Sequence, residues 1–276
     1  MLLKGKKGLV VGVANDRSMA WGIAKLAHEH GAELAFNYTR DFMEKRVRPL
    51  AESVNSPIIE KMNVQDDQQL DNLFAKIEEK WGKLDFLIHA VAFSDKDELR
   101  GRFVDITSRE NFKNTMDVSA YSLVDLSRRA MPLMKDGGSI ITLTYIGGEV
   151  VTPGYNMMGV AKSALDCSTK YLAADMGEQN IRVNAISAGP IRTLASAGVG
   201  DFGTMSAWAK VNSPLRRNMT MDDVAGSALY LLSDLSSGVT GEIHHVDCGY
   251  SILGTPHAKV MKQLQPSMPD LVKDLD

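Results

Sequence analysis

Along most of this chain, short apolar runs alternate with longer stretches of helical periodicity, and that alternation constrains the fold more than any other feature. Strands buried on both faces read as continuous apolar runs, and parallel neighbours need a crossover, usually a helix, between them. The pattern predicts strands near Gly8–Val13, Glu33–Tyr38, Pro57–Met62, Phe86–Ala90, Ser139–Thr144, Arg182–Ser187 and Glu242–Val246. Helices are expected near Met19–His30, Asp67–Trp81, Arg109–Met116, Tyr121–Met134, Tyr155–Met176 and Asp222–Leu232, with Ser18 as an N-cap and Gly31 as a stop. With no repeat or linker between the strands, the reading is α/β: one domain over residues 1–253 built on a mostly parallel seven-stranded sheet.

Two stretches break the alternation. Residues 192–212 carry three glycines between a strand and the next helical pattern. A long insertion at the carboxyl edge of a sheet is commonly a lid or binding loop. The tail from Gly254 to Asp276 has three prolines and alternating charge, and reads as a poorly ordered extension. A net charge of -3 argues against a nucleic-acid surface, and no uncharged run is long enough to span a bilayer. Cys167 and Cys248 are too few and too distant for a disulfide framework or metal site, and read as core thiols in a reducing compartment, the cytoplasm. No metal is expected.

The segment GLVVGVANDRSMAWGIA joins the first strand to the first helix, where doubly wound, Rossmann-like sheets bind a dinucleotide pyrophosphate. Gly12 would let backbone N–H groups approach the phosphates, Ser18 offers a hydroxyl, and Gly22 would let the helix pack on the sheet. Ala14, Asn15 and Asp16 replace the second close glycine of the common fingerprint. After the second strand, Arg40 favours NADPH while Asp41 beside it offsets that charge; the balance favours NADH, with NADPH as the alternative. Asn63 and Val64 end the third strand where adenine would lie, and Ala90 to Phe93 end the fourth, facing the ribose and nicotinamide.

Tyr145, Tyr155 and Lys162 lie in YIGGEVVTPGYNMMGVAK. If a helix begins at Tyr155, that tyrosine and Lys162 leave one face about 10 Å apart along the axis. Gly159 between them would leave room for a ligand against the helix. A phenol and an ammonium so placed supply a proton donor and a fixed positive charge.

These motifs, with YNMMGVAKSAL, IRVNAISAGPIRTLA, SDLSSGVTGE and HVDCGY, resemble the short-chain dehydrogenase/reductase superfamily and, within it, the bacterial type I enoyl-acyl-carrier-protein reductases. The ordinary carbonyl reductases of that superfamily carry Tyr-x-x-x-Lys with a serine upstream. Here Met158 stands four before Lys162 and the pattern is Tyr-x6-Lys. Thr142 lies near the place of their serine, but Tyr145 fits the enoyl reductase pattern better.

The resemblance implies that Tyr145, Tyr155 and Lys162 are catalytic, and that Gly12, Ser18, Met19, Thr39, Asn63, Val64, Val91, Lys162 and the run Ile191, Arg192, Thr193, Leu194 and Ala195 hold the cofactor. Phe93, Ser94, Tyr145, Met158, Ala195, Val199 and Phe202 would meet the acyl substrate. Thr39, Asn63 and Ala92 depart from the glutamine, aspartate and glycine that relatives carry. The implied reaction is reduction of the trans-2 double bond of enoyl thioesters on acyl carrier protein, with Tyr155 hydrogen-bonding the enolate oxygen as charge develops. A carbonyl reductase is the alternative, and a homotetramer is expected by analogy.

Overall fold

In the computed structural model, which describes residues 1–193 and 202–255, one sheet contains all seven expected strands. They are β1 (Lys7–Val11), β2 (Glu33–Tyr38), β3 (Ile58–Lys61), β4 (Phe86–His89), β5 (Gly138–Thr144), β6 (Ile181–Ala188) and β7 (Ile243–Val246). All pairings are parallel, in the order β3-β2-β1-β4-β5-β6-β7. The order reverses between β1 and β4. At such a switch point the adjacent loops part and leave a crevice at the carboxyl edge.

Between the strands run α1 (Met19–Glu29), α2 (Asp41–Ser53), α3 (Asp67–Trp81), the single turn α4 (Phe103–Ile106), α5 (Arg109–Met116), α6 (Ser122–Ala130), α7 (Met157–Met176), α8 (Phe202–Asn212) and α9 (Met221–Leu232). Alternation along each strand divides the core into two layers. Val10, Leu34, Phe36, Ile88, Ile141 and Ile186 pack under α1, α2 and α9, whereas Leu9, Val11, Ala35, Leu87, Ile140 and Val183 pack under α3, α6 and α7. Local chemistry fixes several helix ends. Asp66 accepts from Gln69 N–H at the start of α3, Gly82 ends it in the left-handed region, and Thr220 and Asp223 form a reciprocal box at the start of α9.

Several details differ from the sequence reading. The helix α2 was not expected, because Pro49 lies inside it and the segment is polar; burial of Val47 and Ala51, one turn apart, holds it on the sheet. The second half of the expected 192–212 loop is the helix α8. Gly22 faces Met221 of α9 rather than the sheet. Cys167 is exposed and Cys248 half-buried, so neither is a core thiol. No helix among the described residues is long and apolar enough to cross a membrane.

At the middle of the sheet, His89 of β4 is fully buried beside its register partner Thr142 of β5. One ring nitrogen meets Thr142 Oγ1 and the other Ser122 Oγ, both at 2.8 Å. Burial, reinforced by the Lys162 charge, drives its pKa down to about 3. The unfolded chain therefore takes up a proton near pH 6.5 that the folded chain refuses, so stability falls as pH drops below that value. His89→Gln should flatten the pH dependence of the thermal midpoint between about pH 6.5 and 4, removing a slope of up to roughly 1.4 kcal/mol per pH unit. Parallel curves for the two proteins would show that His89 does not govern acid stability.

Candidate active site

The residues singled out in the sequence gather along the carboxyl edge of six consecutive strands. Val64 and Asn63 follow β3, Thr39 follows β2, Gly12 follows β1, Val91 follows β4, Tyr145 follows β5, and Ile191, Arg192 and Thr193 follow β6. The switch point lies at the centre of this row. Leu194, Ala195 and Val199 lie outside the described residues, as does the tail beyond Thr255.

The first turn is tighter than its sequence suggests. Gly12 has φ +104, and a Cβ there would lie 2.2 Å from the Ala90 carbonyl oxygen, so the turn is pressed against the end of β4. Its N–H donates to Asn37 Oδ1 (3.2 Å), while Asn37 Nδ2 donates to the Met62 carbonyl (2.9 Å). This buried asparagine ties the ends of β1, β2 and β3 together. It was missed because, on paper, it is one polar residue in an apolar strand. Ser18 does not cap α1; its hydroxyl accepts from Ala14 N–H and Asn15 N–H, both at 3.0 Å, and holds the loop closed. The N-terminus of α1 is left without a side-chain cap, an arrangement that suits an anionic ligand.

Around this turn, Thr39 donates to Met43 Sδ, and Asn63 Oδ1 accepts from Gln65 N–H. Met19, Val64, Val91 and Ile191 pack on the two core layers. Arg40 is exposed at the start of α2. Asp41 pairs with Lys61 at 2.8 Å rather than offsetting Arg40.

Tyr155 does not lie in the helix. Asn156 adopts φ 40 and ψ -121, Met158 N–H donates to the Tyr155 carbonyl at 3.0 Å, and α7 begins at Met157. A non-glycine residue in this backbone region costs on the order of 1–3 kcal/mol, a strain that the surrounding packing must sustain. Nor does Gly159 leave a space. A Cβ there would lie 2.7 Å from the Gly147 carbonyl oxygen, and one on Gly147 would lie 2.6 Å from the Tyr155 ring and 3.1 Å from that of Tyr145. The turn Ile146–Gly148 thus sits directly on the start of α7. It sets the two tyrosine rings edge to face, with centroids 5.0 Å apart.

Lys162 is buried and donates from Nζ to the Leu143 carbonyl at 2.7 Å. Burial brings its pKa down to about 8, whereas burial raises that of Tyr145 to about 12 and pushes that of Tyr155 higher still. Both phenols are protonated donors at neutral pH. Thr142 is taken by His89, whereas Tyr145 lies against Tyr155.

The segment after β4 carries Phe93 and Ser94, two of the residues expected to meet the substrate. Ser119 clamps the Phe93 backbone, accepting from its N–H (2.9 Å) and donating to its carbonyl (3.0 Å), while the Phe93 ring is half-exposed. The Ser94 hydroxyl is engaged by Asn111 Nδ2 (3.2 Å) and Thr115 Oγ1 (3.1 Å) in a buried network. Beyond it, Leu99 packs with Met158, Tyr155 and Tyr145. Leu99 was not foreseen; nothing in its local sequence signals that the segment folds back over the tyrosines. Phe202 opens α8 and is half-buried.

The family model for enoyl-(acyl carrier protein) reductase matches residues 12–251. The chain belongs to that family. The Rickettsia felis protein named enoyl-acyl-carrier-protein reductase (NADH) is 58% identical over 92% of this chain and 97% of its own. Among solved structures, the Anaplasma phagocytophilum reductase in complex with NAD superposes with a TM-score of 0.90 at 56% identity, covering 94% of this chain and 98% of that one. The Bacillus cereus reductase with NADP+ and indole naphthyridinone gives a TM-score of 0.90 at 48% identity, covering 92% and 99%. The enoyl reductase pattern in this chain is thus carried by a turn, a strained asparagine and a glycine contact. Gly159→Ala should lower the thermal midpoint, with an overpacking cost of about 1–3 kcal/mol, and reduce kcat/KM by about tenfold or more. Wild-type values for both would show that the contact is not needed.

Proposed function

We propose that this protein reduces the trans-2 carbon–carbon double bond of enoyl thioesters on acyl carrier protein, in fatty-acid synthesis, with NADH as reductant. The observation that carries this reading is the position of the buried phenol. Tyr155 stands six intervening residues before Lys162 and packs edge to face with Tyr145, while Met158, where a carbonyl reductase places its tyrosine, is buried in the apolar cluster with Leu99. The relatives named for NADH and the one solved with NAD support the choice of cofactor.

The residues present suit a dinucleotide. The Gly12 turn has no room for a side chain, the start of α1 is uncapped, and the Lys162 ammonium has donors beyond the one given to Leu143. The nicotinamide, when bound, supplies the hydride. Lys162 would then hold ribose hydroxyls and add positive potential. Asn37 and Ser18 keep the first turn in shape, and Val64, Asn63 and Thr39 border the adenine end. Ile191, Arg192 and Thr193 border the cofactor site after β6, and the resemblance adds Leu194 and Ala195 as cofactor contacts.

On the substrate, arrival of hydride at the β-carbon moves negative charge onto the thioester oxygen. The Tyr155 hydroxyl donates to that oxygen, and the bond strengthens as charge develops, which lowers the barrier more than it tightens ground-state binding. Its high pKa keeps it a donor rather than a phenolate. Tyr145 shields it from water and orients its ring. Phe93, Met158 and Phe202, with Val199, supply apolar surface for the acyl chain, and Ser94 fixes the segment that carries Phe93.

Residues 1–253 are read as the catalytic domain and 254–276 as an extension. A cytoplasmic homotetramer suits the family, and exposed Phe112, Tyr121, Val160 and Tyr171 on α5, the turn after it and α7 offer an apolar surface for subunit contact. Sedimentation equilibrium should return four chains, with a shift to smaller species in Tyr171→Glu; a monomer at micromolar concentration would refute the assembly.

For the chemistry, NADH oxidation with crotonyl thioester should exceed that with acetoacetyl thioester. Tyr155→Phe should lose about 100-fold or more in kcat while binding NADH normally. NADPH should turn over more slowly than NADH. A preference for the keto substrate, or full activity in Tyr155→Phe, would sink the assignment.

A further inference from the structure

Four charged side chains among the described residues are almost wholly buried: Asp125, Lys162, Asp166 and Asp247. Three have evident partners. Asp125 is paired with Arg128 and Arg129, Asp247 accepts from Gly249 N–H and Ser251 N–H at 2.8 Å, and Lys162 donates to Leu143. Asp166 differs. Both its carboxylate oxygens are inaccessible and neither closes a hydrogen bond of good geometry; the Thr144 hydroxyl, itself without another partner, is the one uncharged side chain near enough to favour its charge. A carboxylate withdrawn from water without compensation costs several kcal/mol, so the fold must balance it by other means.

The balance is one turn away. Asp166 follows Lys162 by four residues on the buried face of α7, the spacing at which helical side chains are neighbours. On its other side it is pressed against the turn that seats the tyrosines, since a Cβ on Gly148 would lie 3.0 Å from Asp166 Oδ2. We propose that Asp166 is a positioning residue: its buried negative charge keeps Lys162 an ammonium and fixes it beneath the cofactor site. The proposal rests on the reading of Lys162 as the cofactor-binding lysine.

The surrounding electrostatics agree. Burial lowers the pKa of Lys162 and the Asp166 charge opposes that fall, while burial raises the pKa of Asp166 and the Thr144 hydroxyl and then Lys162 oppose that rise. Asp166 also raises the pKa of Tyr155, so one carboxylate favours both a charged lysine and a protonated tyrosine. The other charges facing the pair are few. Glu149 from the turn opposes ionisation of Asp166 and is itself bonded to His245 of β7 at 2.7 Å; Lys170 from α7 favours it. Glu242, at the edge of β7, lines the same surface cavity as Asp166, and neutral His89 lies on the far side of Lys162.

The ammonium of Lys162 is lost as pH rises through its pKa, near about 8. Removing the Asp166 charge lowers that pKa, so the alkaline limb of kcat/KM and of NADH affinity should move to lower pH. In Asp166→Asn, the ratio of kcat/KM at about pH 6.5 to that at about pH 9 should rise roughly fivefold or more over wild type, and Asp166→Glu should restore the wild-type ratio. An unchanged limb in a folded Asp166→Asn protein overturns the proposal, as does failure of the glutamate to restore it.

Should the uncharged variant not fold, the NMR titration of the Lys162 Nζ in the wild-type protein, assigned by its loss in Lys162→Met, decides. A midpoint at or above about 7 supports the proposal, since the value expected with the Asp166 charge in place is about 8. One below about 7 overturns it. Lys162→Met separates the two readings. If that variant keeps NADH affinity and turnover, the role of Lys162 itself is wrong; if it loses them while the Asp166→Asn limb stays in place, only the role of Asp166 falls.

Discussion

The site depends on one backbone contact, that of the Gly147 carbonyl with the α-carbon of Gly159. At that approach no side chain fits on either residue, because a Cβ on Gly159 would meet the carbonyl and one on Gly147 would meet both tyrosine rings. The contact joins the turn after β5 to the first turn of α7. Since β5 is a central strand, paired with β4 and β6, the turn inherits the rigidity of the sheet. Tyr145, Tyr155 and Lys162 come from three different local conformations, yet this junction fixes all three. A site assembled on packed elements in this way holds its donors in place without reorganisation as the reaction proceeds.

Beneath the junction runs a line of buried polar groups: Ser122 at the start of α6, His89 and Thr142 in the sheet, then Lys162, Thr144 and Asp166 toward the cavity beside β7. Water is excluded from it, so the charges act on one another at short range and low dielectric. Lys162 helps keep His89 neutral, and Asp166 helps keep Lys162 charged. A neutral histidine bonded to two hydroxyls is compatible with the interior, whereas a second cation beside Lys162 would not be. The order of protonation along the line follows from burial and neighbours rather than from the identity of each side chain.

The inner strands and the alternation of elements were readable because β1, β2, β4, β5 and β6 are buried on both faces, which leaves nearly unbroken apolar runs, whereas the edge strands β3 and β7 are only partly buried. Tyr155 and Lys162 stood out by their spacing and by the family resemblance it carries, and the structure buries both. What escaped was whatever depends on contact across elements. Asn37 binding Gly12 and Met62, His89 meeting Thr142 across two strands, and Leu99 folding onto Tyr155 have no local signature. The helix α2 escaped for another reason: a proline and a polar composition contradict its propensity, and tertiary burial of two residues overrides them. Ser18 was placed correctly but its bonding was not, since a serine before a helix can turn its hydroxyl forward to the helix or back to the loop.

The Tyr-x6-Lys spacing itself has a different meaning in three dimensions from the one its number suggests. Seven residues of uninterrupted helix would put both side chains on one face about 10 Å apart. Instead the first two steps are a reverse turn through strained Asn156, and only the last five are helical. The turn carries Tyr155 off the helix and against Tyr145, while Met158, the first-turn position that a carbonyl reductase gives to its tyrosine, becomes apolar packing. The phenol is displaced from the helix axis while the lysine stays in register with it. Such a displacement suits an enoyl thioester, whose carbonyl oxygen lies three bonds from the carbon that receives hydride, whereas a ketone oxygen lies one bond from it. In this chain the turn through Asn156, rather than the helix, sets where the phenol is released, while Lys162 keeps the register of α7.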